Sequence, residues 1–455
     1  MTDAAVFGGR AEVRAGILVT GTEVLTGIIA DRNGPWLSEQ LRDLGIDVEM
    51  ITVVGDRPED LREELRHMAD AGVRLIITSG GLGPTADDLT AELVGEFCGR
   101  EMVLDEALEQ QIFEILASFR GRWPGVDEEA LRAANRKQAL IPAGSTVLAP
   151  VGTAPGLVVP PAVGSSGPVV VVLPGPPREL QPMWLSAVAS DAFREATAGA
   201  GVFRRGVLRL YGIPEAEIAN TLRAADAAGL SLAELEITTC LRRGEIEVST
   251  RYSPGGEDDY VALVSFIAER HADALFSRDG ATIDQQVVEL LREAGATVAV
   301  AESCTGGLMA ARFTEVPGSS EYFLGGVVAY SNQAKISLVG VGSELIDAYG
   351  AVSVEVARAL AEGARTRFDA SVGIGITGVA GPGGGTEAKP VGFVCFSVVF
   401  GSGSGSGAGV GAGAGVERSL TRSSRLPGGR SDVRERSTTV AMHLLARLLG
   451  GEGDR

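Results

Sequence analysis

Apolar and polar positions along the chain repeat with two periods. Short β-branched runs at Ala15 to Val19, Val48 to Val54 and Leu75 to Thr78 read as strands. Between them, Asn33 to Leu44 places Trp36, Leu37, Leu41 and Leu44 on one helical face, and Pro58 to Ala71 does the same with Leu61, Leu65 and Met68. Alternation of this kind predicts a parallel sheet covered by helices, with ligands at the carboxyl ends of its strands. That domain closes around Val169 to Leu173, followed by Pro174-Gly175-Pro176-Pro177. A smaller α+β piece follows, from about Gly201 to Asp279. Its expected strands are Arg205 to Tyr211, Leu235 to Cys240 and Ile246 to Arg251, and its expected helices are Glu215 to Ala225 and Asp258 to Ala274.

A second α/β domain begins near Thr282. A helix over Ile283 to Ala294 leads into a strand at Ala296 to Val300, and a helical pattern starts at Leu308. Strands at Gly326 to Tyr330, Ala370 to Ile376 and Gly392 to Phe400 follow, with a helix over Ser353 to Arg367. The tract Gly401 to Gly415 is almost wholly Gly, Ser and Ala and is expected to be a loop. A strand-like run at Val416 to Leu420 makes it a hairpin insertion. The expected domains are 1–198, 199–280 and 281–455.

Composition narrows the function. Hydrophobic residues at 45% and charged residues at 22% suit a globular protein with an ordinary core. A net charge of -19 argues against a nucleic-acid or anionic-membrane surface, but leaves small anionic ligands open. No apolar run approaches the ~20 residues that span a bilayer. The four cysteines are scattered without a CxxC pair, which fits a reducing, cytoplasmic setting and gives no zinc signature. Only three histidines are present, His67, His271 and His443, all in helical-looking segments away from the glycine-rich motifs. A Ser-His-Asp triad is not expected.

The most informative motif is Ala301-Glu302-Ser303-Cys304-Thr305-Gly306-Gly307, between a strand and a helix. Hydroxyls and N–H groups at a helix start can hold a phosphate or a developing oxyanion. A nucleophilic serine there needs a base, and with histidine absent the candidate is a lysine whose pKa burial has lowered. Lys335, in Tyr330-Ser331-Asn332-Gln333-Ala334-Lys335, opens an apolar stretch compatible with burial. Thr377 to Gly385, Lys389-Pro390-Val391-Gly392 and the basic Arg430, Arg434 and Arg436 complete the set. Each also has a plainer reading: a simple turn, a surface lysine, a solvated helix face.

In the first domain the notable run is Thr78-Ser79-Gly80-Gly81-Leu82-Gly83-Pro84-Thr85-Ala86-Asp87-Asp88-Leu89-Thr90. Its glycines permit close approach to a phosphate. Asp87 and Asp88 can hold a hard cation such as Mg²⁺, or simply cap the following helix. Gly21-Thr22-Glu23, Asp31, Asn33 and Asp56 come from other strand ends and can converge there.

Together these motifs resemble the competence/damage-inducible protein A (CinA) family over nearly the full length. Carrying that likeness are Ala301 to Gly307, Val316-Pro317-Gly318-Ser319-Ser320, Gly325 to Asn332, Gly350-Ala351-Val352-Ser353 and Thr377 to Pro382. The N-terminal run, Pro150 to Gly156 and Leu173 to Leu180 match in order as well. The resemblance implies an α/β protein in three parts: a molybdopterin-binding-like three-layer domain, a small α+β KH-like domain and an α/β deamidase domain. It implies deamidation of nicotinamide mononucleotide (NMN) by a Ser303/Lys335 dyad, without a cofactor. Thr305, Gly306, Tyr330 and Thr377 would line the pocket, and Arg434, then Arg430, would take the phosphate. Gly428-Gly429-Arg430 stands where the family commonly has Gly-Asp-Arg.

For the N-terminal domain the resemblance implies an ADP-ribose pyrophosphatase. Its nucleotide site would be Glu23, Asn33, Gly80, Gly81, Gly83 and Thr85, with Mg, Mn or Co on Asp87 and Asp88. The middle domain has no GxxG loop, so RNA binding is not expected. The expected partners are small nucleotides and a second copy of the chain in a homodimer. The rival reading is a non-catalytic pterin- or nucleotide-binding accessory of competence or DNA damage.

Overall fold

The structure, a computed structural model, describes residues 13–118, 136–401 and 418–451. Nearly all of the expected Gly/Ser/Ala loop, and the first two residues of the run at Val416, lie outside them. Two compact units form: Met1–Arg205 with Ser231–Glu236 and Arg251–Tyr260, and Gly206–Leu230 with Ile237–Thr250 and Val261–Arg455. The first unit holds a six-stranded sheet of β1 (Arg14–Thr20), β2 (Asp47–Val54), β3 (Leu75–Ser79), β4 (Thr146–Leu148), β5 (Gly156–Val159) and β6 (Val169–Leu173). The strand order is β2-β1-β3-β6-β5-β4. The first four in this order run parallel; β5 pairs antiparallel with β6, and β4 antiparallel with β5. The parallel sheet read from the sequence therefore carries an antiparallel edge.

Alternation along these strands feeds two cores, which is why they read as continuous apolar runs. Ile17, Val19, Ile77 and Val171 pack with Leu37, Leu41 and Trp184. Leu18, Ile76, Val170 and Val172 pack with Leu61, Leu65, Met68 and Leu93. The result is the expected three-layer domain. At Leu44, expected on the buried face, the helix has already ended at Asp43, and the side chain is exposed.

The second unit carries a larger sheet and most of a smaller one. The smaller joins β7 (Arg204–Tyr211), β8 (Leu235–Arg242), β9 (Glu245–Tyr252) and β10 (Leu275–Ser277) in the order β8-β9-β7-β10. The helix expected to reach Ala274 ends at Arg270, so His271 lies beyond it, and the chain turns into β10. The larger sheet is β12-β11-β13-β14-β15, from β11 (Val298–Glu302), β12 (Phe323–Val328), β13 (Val372–Gly378), β14 (Phe393–Phe400) and β15 (Arg418–Arg425). Its first three strands are parallel and its last two antiparallel.

One face of this sheet packs on helix Ile283–Glu293, which starts from a Thr282/Gln285 capping box, and on helix Arg430–Leu449. Helix Val354–Phe368 covers the other face. It lies close because β13 presents glycine there. A Cβ on Gly373 would stand 1.9 Å from the Ala361 carbonyl, and one on Gly375 2.0 Å from that of Ala357. No described helix is long and apolar enough to cross a membrane.

Candidate functional site

In the second unit, β11 delivers Ser303 to the carboxyl edge of the sheet, where its N–H donates to the Ile376 carbonyl at 2.9 Å. Helix Asn332–Val339, capped by the Ser331 hydroxyl, brings in Lys335. The Lys335 side chain is 2% exposed, and its Nζ lies 3.1 Å from Ser303 Oγ. The same Nζ donates to the carbonyls of Ala329 and Tyr330, both at 3.0 Å. Burial lowers the Lys335 pKa from the ordinary lysine range, while the nearby Cys304 works weakly against that. Cys304 belongs to the hydrophobic core, and burial pushes its thiol up to about 12. It is a packing residue beside the nucleophile candidate.

The helix start after Ser303 differs from the expected anion cradle. Glu302, 1% exposed, turns its carboxylate onto that helix. It accepts N–H bonds from Gly307 and Met309 at 3.0 Å and from Ala310 at 2.9 Å. The positive end of helix Leu308–Thr314 is therefore met by a carboxylate of the chain itself. The Gly306 N–H donates to the Ser303 carbonyl. The donors left without a backbone acceptor are the N–H groups of Cys304 and Thr305, which face the Cys304 sulfur. The Thr305 hydroxyl is fully buried and has no hydrogen-bond partner. Glu302 carries no sequence signal as a cap, because it lies six residues before the first helical position.

The remaining expected residues gather around the same point. Gly306 and Gly307 both have positive φ, the reason for paired glycines there. Arg434 Nη2 donates to the Thr305 carbonyl at 2.8 Å. Arg430 donates to the Gly381 carbonyl at 2.8 Å and to Tyr330 Oη at 3.2 Å. Both arginines leave the first turns of helix Arg430–Leu449, whose start is fixed by Asp432 accepting the Gly429 N–H. Tyr330 is exposed. Thr377 is buried, and its hydroxyl donates to the Ala351 carbonyl at 2.8 Å, so it ties the end of β13 to the loop at Ala351.

In the first unit, the ends of β1, β3 and β6 and the loops beyond them enclose a cleft of about 410 Å³. Glu23, Gly80, Gly81, Gly83, Thr85, Asp87 and Asp88 all line it. So do Asp56 and Glu179, the latter not singled out from sequence. Gly80 and Gly81 have positive φ, and a Cβ on Gly81 would stand 2.1 Å from the Thr90 hydroxyl. Asn33 stands behind the cleft, its amide donating to Ser79 Oγ at 2.8 Å and to the Gly175 carbonyl at 2.6 Å. Asp31 accepts the N–H groups of Asn33 and Gly34 and so starts their helix.

The Thr85 hydroxyl binds both Asp87 and Asp88, and that bond, with weaker help from Lys137, holds the Asp87 carboxyl below its usual range. Among the described residues no group of three or more His, Cys, Asp or Glu side chains is arranged to hold a metal. The Asp87/Asp88 pair is a hard-oxygen set of the kind that suits Mg²⁺ when phosphates and water supply the other ligands.

Residues 280–449 match the family model described as CinA C-terminal domain, and residues 16–193 match that described as "Probable molybdopterin binding domain". The chain is 56% identical over 440 residues to a CinA-like protein of Mycolicibacterium vanbaalenii, covering 97% of this chain and 99% of that one. A CinA-like protein of Mycolicibacterium paratuberculosis is also 56% identical, over 96% of this chain and 98% of the relative. A solved CinA superfamily protein from Klebsiella pneumoniae is 28% identical, spanning 37% of this chain and 97% of its own, with a TM-score of 0.33. The chain thus pairs a molybdopterin-binding-like domain with a CinA C-terminal domain. It belongs to the CinA family.

Proposed function

We propose that the second unit deamidates NMN to nicotinate mononucleotide and ammonia, through Ser303 and Lys335. The observation that carries this reading is the buried Lys335 amine 3.1 Å from Ser303 Oγ. A neutral amine has two N–H bonds and one lone pair. The carbonyls of Ala329 and Tyr330 take the two donors, and the lone pair is left to accept the Ser303 proton. Ser303 Oγ then attacks the carboxamide carbon as its proton passes to Lys335 Nζ. The carbonyl oxygen takes the charge as the tetrahedral centre forms. Lys335 returns the proton to the departing nitrogen, ammonia leaves, and an acyl-serine remains. Water, deprotonated by Lys335, adds to the acyl carbon and releases the carboxylate with Ser303 restored. Arg430 and Arg434 supply cationic donors for the ligand phosphate.

Ammonia release from NMN tests this directly. Ser303→Ala is expected to abolish it, and undiminished release would sink the mechanism.

The first unit is read as a metal-dependent ADP-ribose pyrophosphatase, giving AMP and ribose 5-phosphate. Its support is the glycine-floored cleft bordered by Asp87 and Asp88. A divalent ion on these two carboxylates would neutralise phosphate charge and polarise the phosphorus centre. Gly80, Gly81 and Gly83 let the pyrophosphate approach the backbone, and Asn33 fixes the loop at Gly175 against β3. ADP-ribose turnover should require a divalent ion and fall sharply in Asp88→Ala, with ammonia release from NMN unchanged. Turnover in excess chelator would count against the reading. A non-catalytic nucleotide-binding protein would bind both ligands without product.

A further inference from the structure

One buried cation ties three helices of the second unit together, away from the reacting atoms. Arg312, in helix Leu308–Thr314, is buried. Its Nε and Nη2 donate to the two carboxylate oxygens of Asp284 at 2.6 and 2.8 Å, on the first turn of helix Ile283–Glu293. Its Nη1 donates to the hydroxyls of Thr438 and Thr439 at 3.0 and 2.9 Å, in the middle of helix Arg430–Leu449. The packing around these helices is apolar, with Ile283, Val287, Met309, Phe313, Val440 and Ala441 in one cluster. A buried ion pair adds little to the stability of such a core, because desolvation offsets most of its attraction. What it adds is direction. Apolar contacts tolerate a small slide or turn of one helix on another, whereas a guanidinium fork does not.

Direction matters on this helix because of what it carries. Arg430, Arg434 and Thr438 follow at four-residue spacing along one face. Arg434 reaches the Thr305 carbonyl, two residues past Ser303. The contacts form a closed ring: from Ser303 and Thr305 to Arg434, on to Thr438 and Arg312, and back along helix Leu308–Thr314. The nucleophile's side of the ring is fixed without Arg312, by the Ser303 N–H on the Ile376 carbonyl and by Glu302 on the helix start. The arginine side takes its directed anchor from Arg312. We propose that Arg312 is a positioning residue: it sets Arg430 and Arg434 at the distance from Ser303 that a ribose 5-phosphate spans, and so selects phosphorylated nicotinamide ribosides over unphosphorylated ones. The proposal rests on the deamidase reading for the identity of the ligand.

The test measures ammonia release by the full chain from two substrates, NMN and nicotinamide riboside, which lacks the phosphate. Thr438→Val with Thr439→Val removes the two hydroxyls that Arg312 holds. It should raise KM for NMN about tenfold, the worth of one directed bond to a charged group, with kcat little changed. The riboside's kcat/KM should stay at the wild-type value. Arg312→Met with Asp284→Leu leaves no buried charge, and an apolar pair in place of an ion pair is often as stable or more so. Its thermal midpoint should match or exceed that of wild type while its KM for NMN rises as in the threonine variant. Arg312→Lys keeps the charge without the fork and should not restore KM. A purely structural role would lower kcat/KM for both substrates together, in step with the thermal midpoint, and that result overturns the proposal. So does a wild-type KM for NMN in the Arg312→Met, Asp284→Leu protein. Calorimetric binding of both compounds to Ser303→Ala forms of the same variants repeats the comparison without turnover. Loss of NMN affinity there, in a protein whose parent releases no ammonia, supports the positioning and sinks only the deamidase reading. Ammonia release with unchanged selectivity in every variant sinks only the positioning.

Discussion

A lysine is a base only when neutral, and the surroundings of Lys335 set how much of that form exists. Burial disfavours the ammonium, and no cationic neighbour is needed to explain the lowered pKa. Deprotonation raises activity, so ammonia release should climb with pH through a value below the ordinary lysine range and level off above it. Lys335→Ala should lose about 10²–10⁴-fold in rate, the usual worth of a positioned base, together with that ascending limb. A limb that survives in Lys335→Ala places the base elsewhere. The strand, two hydroxyls, paired glycines and shortage of histidine point to Ser303 and to some lysine, and the family resemblance picks out Lys335; the structure sets the two side chains 3.1 Å apart. Glu302 was not legible in the sequence, since only the folded turn brings its carboxylate back to three N–H groups beyond it. Asn33 was legible as important but not as a brace, because its partners lie 46 and 142 residues away.

Helix Leu308–Thr314 has only seven residues, too few to stand without tertiary support. Glu302 supplies that support and also sets the backbone on which Ser303 sits. Glu302→Ala would leave buried donors unpaired at about 1–3 kcal/mol each. Denaturant unfolding should therefore register a loss of roughly 3 kcal/mol or more, accompanied by a lower deamidation rate. Glu302→Gln, which keeps one accepting oxygen, should fall between. A variant as stable as wild type would mean that the helix start finds water or another acceptor. Elements with sustained periodicity, such as Pro58–Asp70 and Val354–Phe368, were legible to within a residue or two. The three-residue β10 was not, because the apolar spacing of the preceding helix runs on into it. Tertiary pairing with β7 decides its conformation. The antiparallel strands β5 and β4 escaped notice because their short apolar runs carry no mark of direction.

At the scale of the whole chain, one helix joins two tasks within the second unit. Helix Arg430–Leu449 begins with Arg430 and Arg434 at the candidate active site. Three turns on, it carries His443 into a contact with the hairpin of β8 and β9. His443 Nε2 lies 2.7 Å from Glu245 Oε1, and its ring stacks on Tyr211 at 3.7 Å and meets Phe276 edge-on at 4.8 Å. Burial lowers the His443 pKa, and the Glu245 bond only partly opposes this. Arg312, paired with Asp284 and bonded to Thr438 and Thr439 on the same helix, adds a positive charge with the same sign of effect.

The folded state thus resists a proton that the unfolded chain accepts near the reference value of ~6.5. Stability contributed here is complete above that value and is lost as pH falls through it toward the lowered folded-state pKa. Lys335 is depressed as well, but its window lies on the alkaline side, below the reference of ~10.4, and there stability rises with pH. The two windows are therefore separable by titration. The thermal midpoint of wild type should fall between neutral pH and about pH 5.5, across the histidine reference. His443→Gln keeps an N–H donor for Glu245 and cannot titrate, so its midpoint should be lower at neutral pH, where the ring stack is lost, and flatter below it. An acid slope identical in both proteins would assign the sensitivity to carboxylates, and would leave the arginine-bearing helix independent of this histidine.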